Sequence, residues 1–201
     1  MFLLTATVIV SVLVTLSAFS RVSQITSERD ILDVSLEELI FKNIKTEVEQ
    51  IISASTSTPR NITDTAIDFL NMTRTGSGSH SQDFIALFVG TLANSTNQTM
   101  NITVFQFLRE TNLNVTIELN SSPVQTNSTL LNDGGIWHNN FSFTRGDHYN
   151  LTVTLPDKSY VQNITIKTKG NKDTYTGFYD IQLLTPRATH ASQFQQEVKI
   201  P

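Results

Sequence analysis

No cysteine occurs among the 201 residues. That absence removes disulfides, thiolate metal sites and a cysteine nucleophile together, so stability has to come from an ordinary hydrophobic core. Histidine is scarce, with four in the chain, and none stands at metal-motif spacing. His138 and His148 meet Asp133 and Asp147 only if a hairpin brings them together, and a metal or acid–base role for them is set aside. The eight glycines are spread among turns, without a phosphate-cradling loop or a Gly-x-Ser-x-Gly elbow to place a nucleophile. A net charge of −4, modest and scattered, argues against nucleic-acid binding through a basic patch. The single tryptophan, Trp137, reads as a core or rim aromatic, and Arg145-Gly146-Asp147 as a hairpin turn rather than an integrin-type ligand. No enzyme, metal or cofactor is expected.

Charge is missing altogether from Met1 to Ser20, the first charged side chain being Arg21. Apolar residues fill this stretch: Phe2, Leu3, Leu4, Val8, Ile9, Val10, Val12, Leu13, Val14, Leu16, Ala18 and Phe19. About twenty helical residues span the roughly 30 Å of a bilayer's hydrocarbon core. A cleaved secretory signal fits poorly, since nothing basic precedes the run and Leu16-Ser17-Ala18 is a weak small-x-small cut site. Two readings remain: a plain membrane anchor, or a helix held in the membrane first and buried among copies of itself later.

Beyond it, Leu36, Ile40, Ile44, Val48 and Ile51 recur at helical spacing, widened by Phe41 and Ile52. Lys42 and Lys45 stand four residues from Glu38 and Glu49 on the opposite face, where ion pairs form. Ser35-Leu36-Glu37-Glu38 reads as a capping box with Val34 and Leu39 as its staple. The helix is therefore either continuous over about residues 2–54 or kinked near 30–35, and Pro59 with the Ser/Thr run Ser53–Thr58 ends it. The organisation expected is an N-terminal helix over 1–54 (1–20 membrane or filament core, 21–54 amphipathic stem), a connecting segment over 55–99 and a β-rich head over 100–201. The connecting segment holds a short helix over Ala66–Met72 with Ile67 and Leu70 inward, then a flexible loop at Thr75-Gly76-Ser77-Gly78-Ser79. Ser81–Leu92 is apolar with ambiguous period.

Eleven of the sixteen asparagines open an Asn-x-Ser/Thr triplet without proline in the middle: Asn61, Asn71, Asn94, Asn97, Asn101, Asn114, Asn120, Asn127, Asn140, Asn150 and Asn163. With Ser and Thr near a quarter of the chain, chance supplies about four such N-glycan acceptors. The excess implies an extracytoplasmic surface. From Met100 onward the period is two, and the triplets agree with it. On a strand, Asn and Thr of Asn-x-Thr face one way and the middle residue the other. The middle residues Ile102, Val115, Phe141, Leu151 and Ile164 are apolar, as are the continuations Val104, Ile117, Leu119, Phe143, Val153, Leu155 and Ile166. Turns are expected at Asn132–Gly135, Arg145–Asp147, Pro156–Lys158 and Gly170–Asp173, with one or two further strands over Tyr175–Leu184 and Gln195–Ile200. Short strands at this spacing suggest an antiparallel sandwich.

A charge-free apolar N-terminus, an amphipathic stem and a cysteine-free, sequon-rich β head resemble archaeal type IV pilins, whose plan archaeal flagellins share. Thr5 stands where bacterial pilins carry glutamate, which fits the archaeal branch, and a short basic leader ahead of Met1 in the unprocessed gene product would fit it further. The resemblance implies an α+β fold, a long N-terminal hydrophobic α-helix followed by an antiparallel β-sandwich-like globular domain. It implies a structural subunit of an extracellular filament for adhesion, attachment or motility, membrane-anchored before assembly. Its partners are then copies of itself, joined head to tail in an open helical array through Phe2–Phe19. Each fully buried Leu, Val or Phe contributes about 1.5–3 kcal/mol relative to water. From lipid that gain largely vanishes, so packing and an assembly motor must drive extraction. The alternative function is a monomeric membrane-anchored surface glycoprotein acting as a binding or receptor module.

Overall fold

Where the sequence period is two, the chain forms strands, and strands dominate the described residues. The computed structural model describes residues 36–51, 59–78, 82–110, 112–143, 148–165 and 173–200. The apolar residues from Phe2 to Phe19, the Ser35 cap, the kink near 30–35, the Ser53–Thr58 run and the Arg145–Asp147 turn lie outside them.

Residues 36–51 are helical (α1). Val48 is buried, Ile44 and Ile51 are half-buried, and Lys45 Nζ lies 4.0 Å from Glu49, the expected i,i+4 pair. Leu36, expected on the apolar stripe, is instead 55% exposed. The second helix, α2, runs Pro59–Gly78 and is far longer than the expected Ala66–Met72. Pro59 opens this helix, at the first-turn position where proline costs no hydrogen bond. Ile62, Ala66 and Leu70 make its buried stripe, with Ile67 beside it. The Thr75–Gly78 stretch is helical, and the hydroxyls of this last part of α2 bond back to carbonyls of the preceding turn. Thr73 Oγ1 donates to Phe69 O at 2.9 Å, Thr75 Oγ1 to Asn71 O at 3.0 Å and Ser77 Oγ to Arg74 O at 2.9 Å. Arg74 also clamps this end, donating to Asp133 Oδ2 at 2.6 Å with its guanidinium 4.3 Å from the Phe107 ring centre.

Nine strands follow among the described residues: β1 Asp83–Asn94, β2 Thr99–Phe107, β3 Leu113–Leu119, β4 Gln125–Leu131, β5 Ile136–Ser142, β6 His148–Thr154, β7 Ser159–Thr165, β8 Thr174–Leu184 and β9 Thr189–Lys199. They build two antiparallel sheets, ordered β5-β2-β1-β8-β9 (sheet A) and β4-β3-β6-β7 (sheet B). Leu87, Val89, Met100, Ile102, Val104 and Phe178 of sheet A pack against Val115, Ile117, Leu119, Leu151 and Val153 of sheet B in one apolar core. Gly134, at φ 75°, makes the turn before β5, and its N–H donates to Gln106 O at 2.8 Å. Leu155 N–H donates to Lys158 O at 2.8 Å across the expected Pro156–Lys158 turn.

Sheet A is buried on its other face too. Phe84, Phe88, Phe105, Tyr175, Tyr179 and Ile181 form a second apolar layer there, with Thr63 of α2 bonding the Tyr175 hydroxyl at 3.1 Å. Phe194 stacks on Tyr179 with ring centroids 5.1 Å apart, Phe88 packs tilted against it at 4.9 Å, and Lys45 of α1 lies 5.8 Å from the Phe194 ring. Burial on both faces explains the ambiguous period of Ser81–Leu92: its strand, β1, is the middle strand of sheet A and reads as a continuous apolar run. The stretch read as a connecting segment thus supplies α2 and that central strand.

The α+β expectation, led by a long N-terminal hydrophobic α-helix, is corrected by these elements. The described protein is mostly antiparallel β with two short helices, and no described helix is long and apolar enough to cross a membrane. The physical reason is that α1 and α2 are each apolar along one stripe only. α2 serves as a cover for sheet A, while nearly all of the core belongs to strands.

Candidate glycan-bearing surface

Each strand triplet was expected to turn its middle residue inward. Ile102, Val115, Phe141 and Leu151 are buried, and Asn101, Asn114, Asn140 and Asn150 are exposed. The continuations Val104, Ile117, Leu119, Phe143, Val153 and Leu155 are buried as well. Ile166 lies outside the described residues, as do the side chains of Asn61, Asn163 and Ile164. Asn71 on α2, Asn97 in the β1–β2 turn and Asn120 after β3 are exposed.

Two triplets behave differently. Asn94 Oδ1 accepts from Thr96 N–H at 3.1 Å and Asn97 N–H at 2.8 Å, closing the β1–β2 turn, and its Nδ2 donates to Asp173 Oδ2 at 3.3 Å. The same carboxylate accepts from Ser95 N–H at 3.0 Å. A sugar on that amide nitrogen competes directly with a turn-forming network. Asn127 stands opposite Ile117 in the register, so it shares the inner face of sheet B, at the open side of the sandwich. Its Nδ2 donates to Asn139 Oδ1 of β5 at 3.1 Å, and Gln125 Oε1 accepts from Ser142 N–H at 3.1 Å beside it. These bonds close the sandwich between β4 and β5. The opposite side is closed by Asp180, 4% exposed, which accepts from Tyr160 Oη at 2.7 Å and Gln193 Nε2 at 3.1 Å.

The register also brings acceptors together that are far apart in sequence. Asn101 of β2 is the direct cross-strand partner of Asn140 of β5, and Asn150 of β6 that of Asn163 of β7. Asn101 and Asn140 line a cleft of about 360 Å³ on the outer face of sheet A, beside α2. Thr63 and Asp64 form its helical wall, Gly90 and Leu92 lie along its floor, and Thr103 and His138 complete it. Thr103 is 9% exposed, its Oγ1 lying 3.0 Å from His138 Nδ1. Gly90 is required here: a Cβ would stand 2.6 Å from the Tyr175 hydroxyl and 2.9 Å from Phe88 Cζ. Pairing of this kind carries no signal in a one-dimensional reading, because it depends on β2, already paired with β1, taking the distant β5 on its other edge.

No protein-family model and no curated protein matches the chain. Function therefore has to be read from the chemistry of the surface. Among the described residues no three His, Asp or Glu side chains gather as a metal would require. His138 is engaged with Thr103 and Asp133 with Arg74, so the structure does not bring this pair together. What the surface offers instead is exposed amides on rigid strands, suited to covalent modification or to polar recognition.

Proposed function

We propose that this chain is the structural subunit of an extracellular filament of the archaeal type IV pilin kind. The uncharged segment holding Phe2–Phe19 packs against copies of itself, and the β sandwich projects outward as an N-glycosylated head for attachment or motility. The observation that carries this reading is the strand-by-strand agreement between sequon and fold: apolar middle residues are buried and their asparagines exposed at four separate strands. Such a head tolerates a sugar coat without loss of packing. It also sits after a segment apolar enough to be held in a bilayer before assembly. Stacking is heterologous in this scheme, so subunits add without closing.

The test is fractionation of cells that make the protein. Shearing should release polymers that pellet at high speed without detergent. Recovery only as detergent-solubilised single chains would overturn the filament and favour a stalked surface receptor.

A further inference from the structure

The cleft beside α2 is bordered by the asparagines of two Asn-x-Ser/Thr triplets, Asn101 and Asn140. We infer that Asn101 and Asn140 act as a single composite acceptor carrying one N-glycan per subunit, whose first sugar ring lies in this cleft. The inference rests on the glycoprotein reading above and adds a rule about occupancy to it.

Three observations carry it. The two asparagines are direct partners in the β2–β5 register, which places their Cβ atoms about 4.5–5.5 Å apart. Both are exposed on the same outer face, since both border the one cleft. Finally, that face is walled by Thr63 and Asp64 of α2, and its volume of about 360 Å³ is near the lower end of the roughly 300–1,000 Å³ of small-molecule sites. A ring attached to either amide therefore fills the space that a ring on the other needs. The walls also suit a sugar: a carboxylate, a hydroxyl and an imidazole for its hydroxyl groups, and Leu92 for its apolar ring face. Gly90 keeps the floor low, with its neighbouring Tyr175 hydroxyl tied down to Thr63. Asn114 of β3 has no such rival, standing opposite Leu130.

Site occupancy measured by glycopeptide mass spectrometry tests this on filaments or membranes from the native source, with Asn101→Gln and Asn140→Gln variants made in the same cells. The occupancies of Asn101 and Asn140 in the unmutated chain should sum to no more than one sugar chain per subunit. Asn101→Gln should raise the occupancy of Asn140, and Asn140→Gln that of Asn101. Near-complete modification of both sites in the unmutated chain would overturn the inference, as would occupancy of either site that ignores loss of the other. Bare asparagine at both while Asn114 or Asn150 carries sugar also overturns it, leaving the glycoprotein reading standing. Bare asparagine at all four removes both.

Discussion

Three tyrosines show how much the packing here depends on neutral side chains in dry surroundings. Burial holds the hydroxyls of Tyr175 and Tyr179 above their ordinary titration range, and in Tyr160 burial is reinforced by the Asp180 carboxylate that its hydroxyl bonds. Below about pH 10 all three are neutral folded or unfolded, so their contribution to stability is present in full. Above it the unfolded chain releases protons that the folded chain keeps, and stability falls as pH rises. Urea unfolding midpoints should thus stay flat toward pH 9 and drop beyond pH 10, with phenolate absorbance appearing together with unfolding rather than before it. Phenolate signal from all four tyrosines near pH 10 in the folded protein would contradict the burial on which this rests. The inward turn of Ile102, Val115, Phe141 and Leu151 was legible because each is an apolar residue between the polar pair of an Asn-x-Ser/Thr triplet. The engagement of Asn94 by Asp173 was not, since the two lie 79 positions apart.

Elements were legible where the sequence alternates or is bracketed by turn residues, as in β3, β6 and even the doubly buried β8, and obscure where it does neither. Strand β1 hid its period because helix and sheet cover it from both sides. Strand β4 was missed for the opposite reason: Gln125, Thr126, Asn127 and Ser128 put polar groups on both faces of an edge. Helix α2 was underestimated because its Thr and Gly residues read as loop, while its hold on sheet A comes from tertiary contacts. That hold has a critical point at Gly90, where α2 and sheet A meet over the Tyr175 hydroxyl. Gly90→Ala places a methyl group 2.6 Å from that oxygen, and the buried Phe88 ring cannot retreat far. Overpacking of this kind costs about 1–3 kcal/mol, so the denaturant midpoint should fall with little change in slope. If instead the midpoint holds, or rises as a helix-like or strand-like gain from losing a glycine, then Tyr175 is not wedged between Thr63 and Gly90.

At the scale of the whole molecule, the sandwich is closed at its open sides by polar ties and along one face of sheet A by α2. These ties join residues of the strands and α2 alone, so head stability and the assembly step of the proposed function should separate under mutation. Val10→Asp puts a carboxylate into the middle of the uncharged segment. A carboxylate at the centre of an apolar span costs about 2.5–3.5 kcal/mol in a bilayer, and burying one unpaired among apolar side chains is costly as well. Cells making this variant should yield no pelletable polymer, while the head keeps its β-type circular dichroism and its unfolding midpoint. A control such as Val161→Asp, on an exposed position of β7, should leave polymer intact. Polymer formed as readily by Val10→Asp as by the unmutated chain would mean that assembly runs through some other surface, and the segment from Phe2 to Phe19 would have to be reassigned as an anchor alone.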